Sequence, residues 1–307
     1  MNIRYYPKNF LLRSISMRRR TSLLLALLLF FLLSPVKAYP SSALDITVTP
    51  SKIGQGEVGI LRVKEAKGAR PRVIWMGKEI TLVKDKRNGI WSGFIGADLT
   101  TRPGRYKLQI SLKDKDNPHS ITVSVLSRDY GIRRLTLPRE MVELDPPTLI
   151  KVRDEARRVR EIFMRPAGYP LWMGGWIRPV AGRVISPFGC RSIINEMERS
   201  PHSGVDLKAG EGTPVLATNR GIVALVANHF FGGLSVIIDH GGGIQSMYFH
   251  LSKALVPMAD LVEKGTAIGL SGSSGRVTGA HLHFGIRLNG TRVNPINLIE
   301  ISRRLER

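Results

Sequence analysis

From residue 44 onward nearly all of the chain is written in strand-length apolar runs separated by turn residues, and that rhythm restricts the fold more than any other feature. Between Leu44 and Ser127 the runs "LDITVTP", "VGILRVKE", "PRVIWMG", "GIWSGFI", "GRYKLQISLK" and "SITVSVLS" are punctuated by "GQGE", "KDKRNG", "TTRPG" and "KDKDNPH". Tyr106, Leu108, Ile110 and Leu112 alternate, as a strand with one buried face requires. Residues 44–127 therefore read as a small antiparallel, Ig-like β-sandwich, an accessory domain. His119, beside Pro118, is expected in a turn. Strand-and-turn patterning resumes near Trp176 with "GRVISPFG", "SGVDLKA", "TPVLATNRGIVALVAN", "LSVIIDHGGGIQSMYFHL" and "GAHLHFGIRL". Gly241, Gly242 and Gly243 are expected to join two strands as a hairpin. Strands do not alternate with helices, which argues against a doubly wound parallel sheet. The fold class is mainly β.

One segment breaks the rhythm. In "ELDPPTLIKVRDEARRVREIFMRP", Asp145 is placed as an N-cap and Pro146 at the first helical position. Leu149, Val152, Ala156, Val159 and Phe163 recur at three or four residues, one apolar stripe of an amphipathic helix, and Pro166 and Gly168 end it. Residues 128–170 are read as a helical linker and 171–301 as a second β domain.

The N-terminus bears on location. Arg18, Arg19 and Arg20 precede the apolar run Leu23 to Leu33, and Val36 and Ala38 are small residues before Tyr39. A basic region, a short apolar run and a small-residue site read as a signal peptide over 1–38, cleaved after Ala38. The run is about half the ~20 residues of a spanning helix, so no stable span is expected once it is removed; uncleaved, it would serve as an anchor. The expected location is the periplasm, cell envelope or extracellular space. The net charge of +22 then suits an anionic envelope polymer rather than nucleic acid. A single cysteine, Cys190, excludes an internal disulfide and reads as a small buried residue.

Of seven histidines, six follow residue 200. His202 precedes Asp206 by four residues, His250 follows Tyr248 by two, and His281 and His283 are separated by one residue. On a strand, His281 and His283 share a face while Leu282, Phe284, Ile286 and Leu288 line the other, a core face. By the same parity Tyr248 and His250 share a face. A hydrolytic Zn²⁺ site takes three nitrogen or carboxylate ligands and leaves a position open for water. It also needs a group to move the proton and a partner for the developing oxyanion. One aspartate and two histidines suffice as ligands, with two further histidines left for proton handling.

Residues from roughly 180 to 296 resemble the peptidase M23 family, the LytM or lysostaphin-type zinc metallopeptidases of bacterial cell walls. The resemblance rests on "SPFGCR", "HSGVDLKAGEGTPV", "GIVALV", "VIIDHGGG", "YFHL", "VEKGTAIGLSGSSGRVTGAHLHFGI" and "VNP" in that order. It implies an antiparallel, barrel-sandwich-like sheet folded into an open groove with zinc on its floor. It implies His202, Asp206 and His283 as zinc ligands, and His281 and His250 as the catalytic pair beside the attacking water. Tyr248 is offered as a substrate or oxyanion contact. His229 is expected to pack beside Phe230 and Phe231, and His240 to serve a turn or to support the site from behind. Some family members are held latent by an upstream asparagine; Asn195 is read here as a loop residue. Arg191 and Arg199 are candidates for substrate carboxylates, with simple solvation as the alternative.

Two functions follow from the resemblance. The first is an exported zinc endopeptidase that cuts peptide cross-links of peptidoglycan, at D-Ala–diaminopimelate or at glycine bridges. The second is a non-catalytic, LytM-like regulator that activates another wall hydrolase, and so has a protein partner. Degenerate modules lose ligands, and this chain keeps all of them. "VEKGTAIGLSGSSG" also resembles biotinyl or lipoyl carrier domains, but Lys264 lacks the flanks of a modified lysine.

Overall fold

The computed structural model describes residues 44–64, 69–112, 118–136, 142–164 and 167–305. The expected signal peptide over 1–38 lies outside them, as does Pro166. The described strands in the first half are β1 (Asp45–Thr49), β2 (Lys52–Gly54), β3 (Val58–Lys64), β4 (Arg72–Trp75), β5 (Lys78–Ile80), β6 (Val83–Lys84), β7 (Trp91–Gly96), β8 (Gly104–Ser111), β9 (His119–Leu126) and β10 (Ile132–Leu135). Helix α1 (Pro146–Met164) follows. Then come β11 (Val184–Ser186), β12 (Arg191–Ile194), β13 (Met197–Arg199), β14 (Val205–Leu207), β15 (Pro214–Leu216), β16 (Gly221–His229), β17 (Gly233–Asp239) and β18 (Ile244–Ala254). The chain continues with β19 (Leu261–Val262), β20 (Ala267–Ser271), β21 (Leu282–Leu288), β22 (Thr291–Val293) and helix α2 (Pro295–Ser302). The mainly β reading holds.

Strands β1-β3-β7-β6 form one sheet and β2-β9-β8-β4-β5 a second. Leu61, Val63 and Ile95 of the first meet Val73, Leu108, Ile110, Val123 and Val125 of the second in one apolar core. His119 is not in a turn: it opens β9, opposite Ile110, and is exposed. The middle of the first sheet, β3 and β7, is buried on both faces. Val58, Ile60 and Phe94, which alternate with the residues above, face a second core with Trp172, Trp176, Val293 and Leu298. Two-sided burial explains why "VGILRV" is a continuous apolar run rather than an alternating one. Polar contacts follow the same seam: Arg292 pairs with Asp98 (Nη2 to Oδ1, 2.5 Å), and Asn297 Oδ1 accepts from the Val58 N–H (2.8 Å). Asp98 is half-buried, which raises its pKa, but the bonds from Arg292 outweigh this and hold it well below the carboxylate range.

The large sheet runs β11-β14-β21-β18-β17-β16-β19, with β15, β20 and β22 attached at its side. The turn from β17 to β18 is His240 to Gly243, and its three glycines take φ of 71°, 62° and 84°, which glycine alone adopts without strain. Leu282, Phe284, Ile286 and Leu288 are all buried, as their alternation requires. Helix α1 starts where the cap signals place it: the Thr148 N–H donates to Asp145 Oδ1 (2.9 Å). Its apolar stripe is only partly used. Val152, Val159 and Phe163 are half-buried, while Leu149 and Ala156 are exposed. The helix is tied down by Glu155, which accepts from the Phe230 N–H (3.0 Å), and by Phe163, whose ring lies 5.3 Å from the Arg287 guanidinium carbon.

Candidate metal centre

The centre is built on the pairing β14–β21–β18. Asp206 lies opposite His283, and His283 opposite Phe249, so one rung of the sheet carries a carboxylate, an imidazole and an aromatic ring. The Phe249 ring stacks on His283 (5.4 Å, 13° between planes) and fixes its orientation. His202 arrives from the segment before β14, held by its own backbone: its N–H donates to Cys190 O (3.0 Å) and its carbonyl accepts from the Gly189 N–H (2.9 Å). Gly204, the glycine of "HSGVD", is needed for close approach. A Cβ there would stand 2.4 Å from Phe284 O and 2.7 Å from His283 Nε2.

His202 Nε2, His283 Nδ1 and Asp206 Oδ1 form a near-equilateral triangle with edges of 3.0, 2.9 and 3.1 Å. The side chains retain only 10%, 11% and 14% exposure. His202 Nδ1 lies 2.9 Å from Pro187 O, an acceptor, so Nδ1 carries the proton and Nε2 presents a lone pair to the triangle. With neutral rings the triangle holds at most one proton, on His283 Nδ1, and so at least one edge joins two acceptors. A cation at the centre removes that conflict. The edges are close to the ~3.3 Å of a tetrahedral set with ligands at about 2.0–2.1 Å. Two imidazoles and one carboxylate match the donor preference of zinc. Burial lowers the pKa of His283 and favours the neutral ring a ligand must be. Burial raises that of Asp206, but the two histidines beside it outweigh this and keep the carboxylate ionised.

Two more histidines stand beside the triangle. His281 Nε2 lies 3.8 Å from Asp206 Oδ1, and its ring is 4.9 Å from that of His250. His281 Nδ1 faces Gly279 O (2.8 Å) and His250 Nδ1 faces Ser274 O (2.9 Å). Both Nδ1 atoms are therefore donors, and both Nε2 atoms are left as bases. Burial, only partly offset by the bond to Ser274, pushes His250 down to about 4.

Tyr248 is elsewhere. It is fully buried on the core face, with its ring 5.5 Å from Phe284. The parity that joined it to His250 fails because β18 carries an extra residue: Val236 pairs with Tyr248 but Leu234 with Leu251, and His250 has φ +65°. The Tyr248 hydroxyl accepts from the Thr218 N–H (2.9 Å) and meets Ser246 Oγ (2.9 Å), which meets His240 Nε2 (2.7 Å). His240 is fully buried, and its Nδ1 donates to Arg220 O (2.8 Å). His229 packs near Phe249 (6.4 Å) and meets Ser235 Oγ (3.1 Å). Asn195 forms the two-residue turn between β12 and β13 with Glu196, at φ of 48° and 63°. Cys190 is buried. The sequence did not single out Phe249, Gly204, or the carbonyls of Pro187, Ser274 and Gly279. Gly204 was legible within "HSGVD"; the carbonyls carry no side-chain signal.

Residues 200–295 match the model of peptidase family M23. The peptidoglycan DD-endopeptidase ShyA of Vibrio cholerae is 42% identical over 115 residues, 37% of this chain and 27% of that protein. The DD-carboxypeptidase/endopeptidase Mpg of Neisseria meningitidis is 39% identical over 116 residues, 38% of this chain and 27% of that protein. The chain thus spans about a quarter of the length of these curated relatives. A crystal structure described as a peptidase M23 of Pseudomonas aeruginosa is 30% identical, with a TM-score of 0.65 over 80% of this chain and 95% of that one. With a family model on the metal-centre segment and a solved relative matched over nearly its whole length, the chain belongs to peptidase family M23.

Proposed function

We propose that the protein is an exported zinc-dependent endopeptidase that hydrolyses peptide cross-links of bacterial peptidoglycan. The observation that carries this reading is the triangle of His202, Asp206 and His283 with two further histidines, His281 and His250, beside it. Zn²⁺ held there supplies Lewis acidity and lowers the pKa of water. His281 Nε2, the nearer base, takes the proton of the attacking water and returns it to the leaving amine. His250, held neutral by burial, accepts a hydrogen bond at Nε2 and orients that water. Its role is therefore orientation rather than donation to an oxyanion. The carbonyls of Gly279 and Ser274 keep both rings in the required tautomer.

Relatives named as a peptidoglycan DD-endopeptidase and a DD-carboxypeptidase/endopeptidase favour a bond between two D-centres over a glycine bridge. Export through a signal peptide in 1–38 puts the enzyme with that substrate. The Ig-like label for residues 44–127 and the linker role of α1 belong to the same reading, with the first sheet as a rigid support for the catalytic one. The test is digestion of purified sacculi, with products identified by mass spectrometry and metal measured in the same sample. New muropeptides that vanish with a chelator and return with zinc are expected. Absence of products, together with stimulation of a second wall hydrolase, would establish the regulator instead.

A further inference from the structure

Strands β10, β12 and β13 form a small three-stranded sheet that runs directly into His202. In register, Arg133 lies beside Ser192 and Ser192 opposite Arg199, so the three side chains make a row on one face. Arg133 confirms the placement: Nε donates to Ser192 Oγ (2.8 Å) and Nη1 to Ser186 Oγ (3.2 Å). Ser186 Oγ in turn lies 3.3 Å from His202 Nδ1, so this is the face turned to the metal centre.

The charges on the two faces differ. The outer face carries Arg134 with Glu196 (3.4 Å) and Arg191 with Glu198 (3.6 Å). The hairpin's own carboxylates are thus spent there. On the inner face, no carboxylate among the described residues pairs with Arg133 or Arg199. Like charges set side by side repel, and the arrangement is favourable when an anion joins them. A guanidinium fork fits the planar carboxylate in particular.

We infer that Arg133 and Arg199 form a carboxylate subsite beside the metal centre, which binds a free carboxylate on the peptide residue adjoining the scissile bond. The inference rests on the peptidase reading above. It selects cross-links through a diamino acid whose carboxylate is free, and disfavours oligoglycine or amidated cross-links. Arg191, the other arginine singled out in the sequence, lies on the wrong face for this.

The experiment compares two synthetic D-Ala–diaminopimelate cross-linked peptides, one with the free carboxylate at the linking centre and one with the carboxamide, cut by the full chain loaded with zinc. The wild type should prefer the carboxylate about 10- to 100-fold in kcat/KM, as expected for a charge-assisted bond. Arg199→Gln should raise KM for the carboxylate peptide and bring the ratio towards one. Arg199→Lys should keep part of the preference, and Arg134→Gln on the outer face should keep all of it. Thermal midpoints identify any variant that fails to fold; Arg199→Gln carries the test because Arg133 also bonds two serines. Equal cleavage of both peptides by the wild type, or an equal slowing of both in Arg199→Gln, overturns the subsite alone. Cleavage of neither overturns the peptidase reading and the subsite with it.

Discussion

Replacing Tyr248 by phenylalanine separates a core tyrosine from a catalytic one. The side chain is fully buried, and the hydrogen-bond chain around it has one consistent direction. His240 Nδ1 faces a carbonyl and must donate, so Nε2 must accept from Ser246. Ser246 has one proton, so it receives from Tyr248, which itself accepts from the Thr218 N–H. Phenylalanine keeps the ring against Phe284 and deletes the hydroxyl. Ser246 keeps its acceptor in His240, and only the fully buried Thr218 N–H is orphaned. One buried donor without a partner costs about 1–3 kcal/mol. At roughly 2–4 °C per kcal/mol for a chain of this size, the thermal midpoint should fall by about 2–12 °C. Alanine at the same position adds a cavity and costs about 3–5 kcal/mol. Scanning calorimetry gives the midpoint, and peptide hydrolysis per mole of folded protein should stay within about twofold of wild type. A tenfold loss of kcat with no change in midpoint would refute the placement and return Tyr248 to the groove.

Other perturbations probe the centre itself. Asp206→Ala and His283→Ala should lose metal and activity together by elemental analysis and hydrolysis, whereas His281→Ala should hold zinc and lose about 10²–10⁴-fold in kcat; metal loss in the last variant alone would reverse the assignment. Gly204→Ala drives a methyl group towards His283 Nε2 and should weaken metal affinity by about 10- to 100-fold, measured by competition with a chromogenic chelator. Burial lowers His240 to about 4. The unfolded chain binds that proton near pH 6.5 and the folded chain does not, so stability is lost as pH falls from about 6.5 towards 4. From pH 7 to 5 this group contributes a loss on the order of 2 kcal/mol. Denaturant curves of His240→Gln should show a shallower pH dependence over that window than wild type.

The sequence revealed most where one residue's identity and one strand's period suffice. Four apolar residues alternating from Leu282 fixed the core face of β21 and left His281 and His283 on the other. The glycines before Ile244 marked a hairpin whose three positive φ angles glycine adopts without strain. Asp145 and Pro146 placed the start of α1. What stayed hidden depends on long-range pairing. The apolar run of β3 gives no sign that a second sheet, and Trp172 and Trp176 far along the chain, will cover its other face. Arg133 lies 69 residues before His202 and joins the centre only because β10 pairs in parallel with β12.

The failure at Tyr248 shows how one added residue redistributes chemistry. Period-two parity assumes an unbroken ladder, and "MYFHL" contains nothing that announces a break. The break pairs Leu251 with Leu234 and puts His250 at φ +65°, where its N–H donates to Gly232 O (2.8 Å) and its ring to Ser274 O. Without the extra residue, alternation would keep Tyr248 and His250 on one face, so a buried Tyr248 would carry His250 into the core with it. The bulge instead allows Tyr248 to cap a buried hydroxyl chain while Phe249 backs His283 and His250 stands beside His281. A conformation that costs a non-glycine residue about 1–3 kcal/mol is held there by those two carbonyl contacts. It lets adjacent residues of a single strand serve the core and the metal centre.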